Sequence, residues 1–411
     1  MASLGAPVRT EDVQQWGQRL DEVARRIGAR FPRSETRNRV RTYLVGLLGP
    51  VQRKGARQVA ERIGDADPCG VRYLMGRAGW DPDSARDDLR AYVVESLGDP
   101  GAVLVLDETG FPKKGTESAG VARQDTGAAG RIEDAQVGVS LAYASARGVA
   151  FIDRELYLPG GWTDDPDRCK RAGIPEGTAF AAEIRPAGAM PGRAFAAGVP
   201  AARATGDEVY GTWELRWWLE EQERPHVPAA RADQHAWAGS GRATVAALAK
   251  APPRRAWHEI TIAAGSKGPR RYDWAWLVIN GDLGPARRRR LLVRGSLDDP
   301  KDPAYYIAAG PGRTTLTRLA TTAGARWSIE GGFESAKQGA GLADHEVRSW
   351  AGWYTLPLLA QAVLATVRRP AEGPPRKSRR TSRSRSRRRC RRPADCWWDR
   401  CGAACRGPRR S

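Results

Sequence analysis

The apolar run Ala102–Leu106 constrains the fold most, because it ends abruptly in two adjacent carboxylates, Asp107 and Glu108. The run is short, rich in Val and Leu and preceded by the turn sequence GDPG, which is typical of a buried strand. A carboxylate at the C-terminal end of a central strand emerges at the edge of a sheet, where ligand sites of α/β folds collect. We therefore predict a sheet that starts near Ala102, with Asp107 at its functional edge.

The region before this sheet, residues 10–98, is predicted to be helical, since apolar residues recur there every three or four positions. Within it, a short helix, a Gly-Asp-Ala-Asp-Pro break and a second helix with Arg72 and Arg77 have the outline of a helix-turn-helix. Two packing helices joined by a polar turn explain the segment equally well. Residues 1–98 are therefore a candidate DNA-binding domain.

Residues 99–367 differ in character, with β-rich runs first and helices from about residue 314. We predict an α/β core interrupted by a mostly β insertion at about 223–313. The segment 368–411 is a low-complexity basic tail, predicted to be disordered because its arginines repel one another and little apolar surface is available for burial.

The charge of the chain favours a polyanionic partner such as DNA, since the net charge is +20. The tail from residue 368 holds 17 Lys and Arg against three acids, so its net charge is +14 and only +6 remains for the rest of the chain. Much of the nonspecific attraction to phosphate is therefore expected from the tail.

Neither the cysteines nor the apolar segments indicate secretion or membrane insertion. Four of the six cysteines lie in the tail without the paired spacing of a zinc site, and Cys69 and Cys169 stand alone. The longest apolar stretch, residues 353–367, is short for a bilayer span and contains Pro357, so a buried helix is predicted. We expect a cytoplasmic, nucleoid-associated protein with reduced thiols and no membrane partner.

Two further carboxylates occur in settings that suggest a site. Asp207 precedes a turn flanked by glycines. In RWSIEGGFESAK, Arg326, Glu330, Phe333 and Lys337 fall within a stripe about 60° wide at helical spacing. A charged row beside a Phe is unusual for a core, and an exposed ladder of ion pairs is the alternative explanation.

Asp107, Asp207 and the Arg-x3-Glu-x6-Lys array resemble the DDE transposases of bacterial insertion sequences, in the branch that carries a Tyr-Arg-Glu-Lys signature. The segments SAGVARQ, GRIEDAQVGVSLAYA, DRELYLPGGWTDD and HEVRSWAGWY are also similar to that family. The resemblance spans roughly residues 30–367.

The resemblance implies an RNase H-like catalytic core in which Asp107, Asp207 and Glu330 hold two divalent ions, Mg²⁺ or Mn²⁺. It implies metal-dependent cleavage of double-stranded DNA at terminal inverted repeats and strand transfer to target DNA, by a homodimer assembled on the DNA ends. The expected phosphate-binding residues are Arg326, Lys337, Lys113 and Lys114. A solvated turn is an equally good explanation for the two lysines that follow the first strand.

Adjacent residues of a strand point to opposite faces, so only one of Asp107 and Glu108 is expected to face the metals. The family motif selects Asp107 and leaves Glu108 as a supporting or structural group. The aromatic residues after the second aspartate suit stacking on a displaced base, but their helical spacing favours core packing. These residues are Tyr210, Trp213, Trp217 and Trp218. The four histidines show no metal-ligand spacing, and we assign them no role.

The chain departs from the family pattern at the last motif. Ala323 stands where the signature has Tyr, which removes an expected phosphate contact. Gly331 and Gly332 are expected to weaken the catalytic helix by about 1 kcal/mol each. The tail does not continue the family pattern, as if it were translated from a shifted reading frame.

Three functions stay open at this point: a transposase, a decayed and sequence-specific DNA-binding protein derived from one, and an RNase H-like nuclease that serves repair. Mg²⁺-dependent cleavage of DNA that carries the element ends separates the first two. Activity without dependence on specific ends would indicate the third.

Overall fold

The computed structural model describes residues 10–126, 131–178, 184–239, 241–265, 268–279, 287–296, 302–344 and 347–367. The basic tail from residue 368 lies outside the described residues. The chain divides into two compact units, the first formed by Met1–Leu97, Ala172–Ile174 and Glu334–Ser411, the second by Gly98–Arg171 and Pro175–Phe333. Residues from Glu334 onward therefore group with the N-terminal helices, whereas the sequence assigned them to the 99–367 domain.

The helices in the described part of the chain are α1 (Thr10–Gly28), α2 (Ser34–Leu48), α3 (Ala56–Ile63), α4 (Cys69–Gly76), α5 (Pro82–Leu97), α6 (Gly160–Thr163), α7 (Pro166–Ala172), α8 (Ile184–Ala196), α9 (Trp213–Glu221), α10 (Val245–Leu248), α11 (Leu316–Gly324), α12 (Arg326–Glu334) and α13 (Trp350–Val367). A 3₁₀ turn covers Arg254–Ala256 and a π-helical turn covers Ser335–Gly339.

The strands are β1 (Val103–Pro112), β2 (Ala122–Thr126), β3 (Arg131–Ser145), β4 (Gly148–Leu156), β5 (Arg203–Gly206), β6 (Ala229–Ala230), β7 (His235–Ala238), β8 (Gly241–Thr244), β9 (His258–Gly265), β10 (Gly268–Val278), β11 (Arg287–Gly295) and β12 (Ala304–Pro311).

The first unit is helical, as predicted for residues 10–98. Helix α1 buries Leu20, Val23 and Ile27 at helical spacing, and α13 packs against α1, α2, α4 and α5. Trp353, Leu358, Leu359 and Val363 of α13 are buried, so the apolar stretch near the C-terminus forms a largely buried helix. Arg26 of α1 and Arg30, just after α1, form ion pairs at the surface with Glu95 and Asp88 of α5.

The break between α3 and α4 has a local cause. Gly64 adopts the left-handed conformation at φ +85° and ends α3, a position that favours glycine. The Asp67 carboxylate accepts a hydrogen bond from the backbone N–H of Cys69 at 2.7 Å, at the start of α4. Arg72 and Arg77 are exposed, so both are accessible to a ligand.

The second unit contains a mixed sheet with the strand order β2-β3-β1-β5, in which β4 also pairs with β3. β1 runs antiparallel to β3 over its whole length and parallel to β5 over four residue pairs. The apolar run Leu104–Leu106 is buried, which accounts for its continuous apolar character. The parallel pair is the element that positions the candidate site.

A second, antiparallel sheet has the order β6-β12-β11-β10-β9 and falls within the predicted β insertion. One of its faces buries Trp274, Leu292 and Tyr306 against α11. The segment at His226 joins it to the first sheet, because His226 exchanges backbone hydrogen bonds with Ala309 of β12 and forms a bridge with Ala204 of β5. The two sheets of this unit are therefore connected through hydrogen-bonded backbone.

Among the residues that the structure describes, no helix is both long and apolar enough to cross a membrane.

Candidate active site at the ends of β1 and β5

The parallel pairing of β1 with β5 brings two aspartates together. Its last residue pair is Leu106↔Gly206, so Asp107 and Asp207 are the next residues on their strands. The sequence predicted that the strand would stop at Asp107, but β1 continues to Pro112 because it stays paired with β3. The site therefore lies beside the middle of β1, at the point where its neighbour β5 ends.

Three carboxylates meet at this edge. Oxygen atoms of Asp107, Glu108 and Asp207 all lie within 4.8 Å of one another. Asp107 is buried, with 7% of its surface exposed, and the other two are half-buried. The Asp107 carboxylate also accepts a hydrogen bond from the backbone N–H of Glu108 at 3.0 Å, so the carboxylate lies close to the backbone of β1.

The position of Glu108 differs from the expectation that neighbouring strand residues face opposite ways. That expectation holds for a regular strand with partners on both sides. Here β1 has lost its β5 partner after Leu106, so the side chains of Asp107 and Glu108 both lie near the open edge. Glu108 therefore belongs to the cluster by position.

Burial opposes the ionisation of both aspartates, and neighbouring carboxylates add to this effect at Asp107. Burial, followed by the negative charges of Asp207 and Glu108, raises the pKa of Asp107 to about 8, although the positive charge of Arg326 acts in the other direction. Burial also raises the pKa of Asp207, against hydrogen bonds from the backbone of Val209. A pocket of oxygen ligands that retains protons in this way suits a hard divalent cation, which would displace the protons.

The turn after Asp207 depends on two glycines. A Cβ at Gly211 would lie 1.8 Å from the carbonyl oxygen of Ala229, and a Cβ at Gly206 would lie 2.9 Å from the Cβ of Tyr210. Neither position has room for a side chain. The GDEVYG segment is thus packed tightly between β5 and β6, and this fixes the direction of Asp207.

Helix α12 lies on the same face of the first sheet as Asp107. Phe333 contacts Phe151 with ring centroids 5.1 Å apart. Phe151 is paired with Ala142 and Ala142 with Val105, and Val105 shares a face with Asp107 by alternation along β1. The helix that carries Glu330 is therefore on the side of the sheet where the first aspartate points.

Glu330 itself is outside the three-carboxylate cluster formed by the described residues. Its side chain is 46% exposed and forms an ion pair with Arg326 at 3.3 Å. The positive charge of Arg326 lowers the pKa of both Asp107 and Asp207, against the larger effect of burial. Glu330 thus pairs with an arginine whose charge acts on the two aspartates, and it does not itself join their cluster.

The predicted stripe of four residues does not extend to Lys337. The α-helix ends at Glu334 and a π-helical turn, Ser335–Gly339, follows, so the 100° spacing used for the stripe no longer applies. Lys337 falls in the first unit, and burial lowers the pKa of its ammonium group. Lys113 and Lys114 also stand away from Asp107, because β1 continues for five residues from Asp107 to Pro112, about 17 Å at about 3.3 Å per residue, before the lysines follow.

The departures at the last motif lie in two different surroundings. Helix α12 runs through Gly331 and Gly332, and a Cβ at Gly331 would meet no heavy atom within 4 Å. Ala323 is 2% exposed in the core between α11 and the second sheet. A Tyr there would overpack that core, so the expected loss of a phosphate contact at this position is not supported.

Sequence reasoning missed an arginine–aromatic stack beside Arg326. Trp327 stacks on Tyr272 at 5.6 Å, and Arg270 and Arg294 lie over the Trp327 ring at 5.1 and 5.4 Å. The alternation of Arg270, Tyr272, Trp274 and Trp276 along β10 was the available signal. The stack places the positive charges of Arg270 and Arg294 next to α12, the helix that carries Glu330.

The aromatic residues after Asp207 divide into two groups. Tyr210 is buried and Trp218 is half-buried, in line with core packing. Trp213 and Trp217 are 65% and 55% exposed, so the core-packing interpretation is wrong for these two. Their apolar rings are accessible from solvent at the start of α9.

Comparison with known proteins agrees with this geometry. The model of the DDE superfamily endonucleases matches residues 26–269, which is more than half of the chain. A protein of Microchaete diplosiphon described as "Probable transposase for insertion sequence element IS701" is 26% identical over 141 residues, or 34% of this chain. The matched stretch spans only 37% of that relative's length.

Proposed function

Because the chain belongs to the DDE superfamily endonucleases, we propose that it is a transposase that cuts DNA at the ends of an insertion sequence and joins those ends to target DNA. The observation that carries the proposal is the parallel register Leu106↔Gly206, which puts Asp107 and Asp207 side by side. Two aspartates from neighbouring strands form the core of a site for divalent ions.

The residues present fit a pair of Mg²⁺ or Mn²⁺ ions. Asp107 supplies a buried carboxylate and Asp207 a half-buried one, and Glu330 is available from α12 on the same face of the sheet. The chemistry that such ions supply when bound is activation of a water or 3′-hydroxyl and stabilisation of the leaving oxygen.

In this proposal, cationic residues of the chain bind the phosphates of the DNA backbone. Arg326 is proposed to bind a phosphate oxygen; its charge acts on both aspartates, and its guanidinium has donors beyond those facing Glu330. Arg270 adds charge next to it. Lys113, Lys114 and Lys337 are proposed to contact phosphates farther along the duplex.

The remaining parts of the proposal concern the arrangement on DNA. The core is proposed to be RNase H-like, and residues 1–98 are proposed to recognise the terminal inverted repeats through α3 and α4, with Arg72 and Arg77 exposed. We propose that the tail holds DNA nonspecifically, that two copies assemble on paired ends, and that the protein acts in the cytoplasm at the nucleoid. The integrity of α12 across its two glycines favours an active enzyme over a decayed one.

The experiment uses a plasmid that carries the DNA flanking the gene on both sides. With Mg²⁺, the wild type and the control Glu334→Gln should cut at the flank junctions, whereas Asp107→Asn and Asp207→Asn should bind the same DNA in a gel-shift assay without cutting it. Cleavage by Asp107→Asn would remove the site from the mechanism. Binding without cleavage by the wild type, in Mg²⁺ or Mn²⁺, would instead identify a decayed DNA-binding protein.

A further inference from the structure

Glu108 is the member of the strand-edge cluster that the proposed metal site leaves without a role. A carboxylate oxygen of Glu108 lies within 4.8 Å of oxygens of both Asp107 and Asp207. Glu330, in contrast, is half exposed and held by Arg326. The three carboxylates that the strands bring together are therefore Asp107, Glu108 and Asp207.

A second observation at the same place concerns Tyr210. Its side chain is buried, at 1% exposure, and its hydroxyl makes no hydrogen bond of normal geometry with any residue that the structure describes. The negative charges of Glu108, Asp207 and Asp107 all act on it, with Glu108 first among them. A buried hydroxyl is thus aimed at the cluster, next to Glu108.

The turn that carries Tyr210 keeps this hydroxyl in place. The Cβ of Tyr210 packs so closely on Gly206 that a Cβ at position 206 would be 2.9 Å from it. Because the ring starts from a fixed backbone and is fully enclosed, a change in its direction requires the turn to move. The Glu108 side chain is half-buried, and one of its carboxylate oxygens is itself buried.

We propose, resting on the proposed function above, that Glu108 is a ligand of the divalent ions held by Asp107 and Asp207, and that the Tyr210 hydroxyl orients its carboxylate by donating a hydrogen bond. Charge supports this assignment. Two divalent ions bring four positive charges, and Asp107, Asp207 and Glu330 offer three negative ones, so Glu108 completes neutrality at the cluster. Tyr210 is a positioning residue, since it acts through Glu108 and not on the ions.

The test measures metal binding by the full chain without DNA, so that it does not depend on activity. Free Mn²⁺ is followed by electron paramagnetic resonance during titration of the wild type, Glu108→Gln, Tyr210→Phe, Asp107→Asn and the control Glu334→Gln. We expect Glu108→Gln to weaken binding of at least one ion by about ten-fold or more, and Tyr210→Phe to weaken it in the same direction but less. Glu334→Gln should bind as the wild type does.

The outcomes separate the two proposals. If Asp107→Asn loses Mn²⁺ while Glu108→Gln and Tyr210→Phe bind normally, Glu108 is not a ligand and the proposed function stands. If Asp107→Asn itself binds normally, the proposed metal site fails. Circular dichroism in the absence of metal checks that each variant is folded. Glu108→Asp is a second test, because it keeps the negative charge and should bind Mn²⁺ better than Glu108→Gln. Equally weak binding by these two variants, both folded, would indicate a structural role for Glu108 and overturn the inference.

Discussion

The strand-borne and the helix-borne carboxylates of the proposed site are presented in opposite ways. Asp107 and Asp207 follow a parallel strand pair, are largely withdrawn from solvent and have raised pKa values. Glu330 lies on α12, is 46% exposed and is neutralised by Arg326. The fold therefore holds Asp107 and Asp207, before any metal binds, in an environment that disfavours their charged forms. It leaves Glu330 at the surface, paired with an arginine.

This difference indicates where the free-energy cost of the site is located. Crowded, buried carboxylates destabilise a metal-free protein and favour an ion that compensates their charge. An exposed ion pair contributes little to stability, so Glu330 is able to change partner at small cost. The strand side should thus be sensitive to substitution and pH, and the helix side tolerant.

The largest expected effect on stability comes from replacing a glycine beside the strand-borne carboxylates, and a glycine of α12 gives the matched comparison. Gly211→Ala places a Cβ 1.8 Å from the Ala229 carbonyl oxygen, so the turn after Asp207 must distort, and we expect a loss of more than about 4 kcal/mol of unfolding free energy. The matched change on the helix side, Gly331→Ala, meets no atom and should stabilise by about 1 kcal/mol. Thermal unfolding followed by circular dichroism measures both, and a wild-type melting temperature for Gly211→Ala would contradict the comparison.

A second effect concerns His226, which joins β5 to β12. Burial lowers its pKa to about 4, and the positive charges of Arg216 and Arg287 add to the lowering. The Arg224 carbonyl and the Glu220 carboxylate, which lies 3.8 Å from Nε2, act in the opposite direction but more weakly. Since the unfolded state takes up the proton first, stability should fall by about 3 kcal/mol as pH drops from about 6.5 to about 4.

Urea unfolding at a series of pH values measures this slope. His226→Gln should remove it, and the control His235→Gln, at an exposed position, should keep it. An unchanged slope in His226→Gln would mean that the acid sensitivity of the strand side comes from other groups.

A third effect runs with the opposite sign. The folded-state pKa of Asp107, about 8, is above its unfolded value of about 3.9, so the protonated carboxyl favours the folded state and stability is lost as pH rises between these values. In chelator and above about pH 8, Asp107→Asn should therefore be more stable than the wild type, and this difference should disappear near pH 4. A destabilised Asp107→Asn under these conditions would show that the carboxylate is not crowded.

The smallest expected effect is on the helix side. Glu330→Gln breaks an exposed ion pair, so the unfolding free energy should change by less than about 0.5 kcal/mol at any pH from about 5 to 9. DNA cleavage should nevertheless be lost, because the third carboxylate is missing from the proposed site. A large loss of stability would mean that Glu330 is a structural residue of α12.

The parts of this site that the sequence predicts are those set by local patterns. The apolar run before Asp107, the turn at Asp207 and the helix with Arg326 and Glu330 all follow from periodicity and turn residues. The N-terminal helices follow in the same way. Local patterns specify which elements form, so the residues that the elements carry are predictable.

The parts that were mispredicted depend on pairing between distant segments. The continuation of β1 past Asp107 depends on β3, and the position of Glu108 depends on where β5 ends. The exposure of Trp213 depends on which face of α9 the rest of the unit covers. The π-helical turn before Lys337 likewise has no periodic signal in the sequence. None of these follows from a window of adjacent residues.

The most direct test of the account is to locate the metal. With Fe²⁺ in place of Mg²⁺, ascorbate and peroxide generate hydroxyl radicals that cut the polypeptide next to the bound ion, and mass spectrometry maps the cuts. We expect cuts around residues 107 and 207, weaker ones near 330, and loss of all three in Asp107→Asn but not in Glu334→Gln. Cuts elsewhere, or an unchanged pattern in Asp107→Asn, would mean that Asp107 on β1 and Asp207 after β5 do not hold the metal.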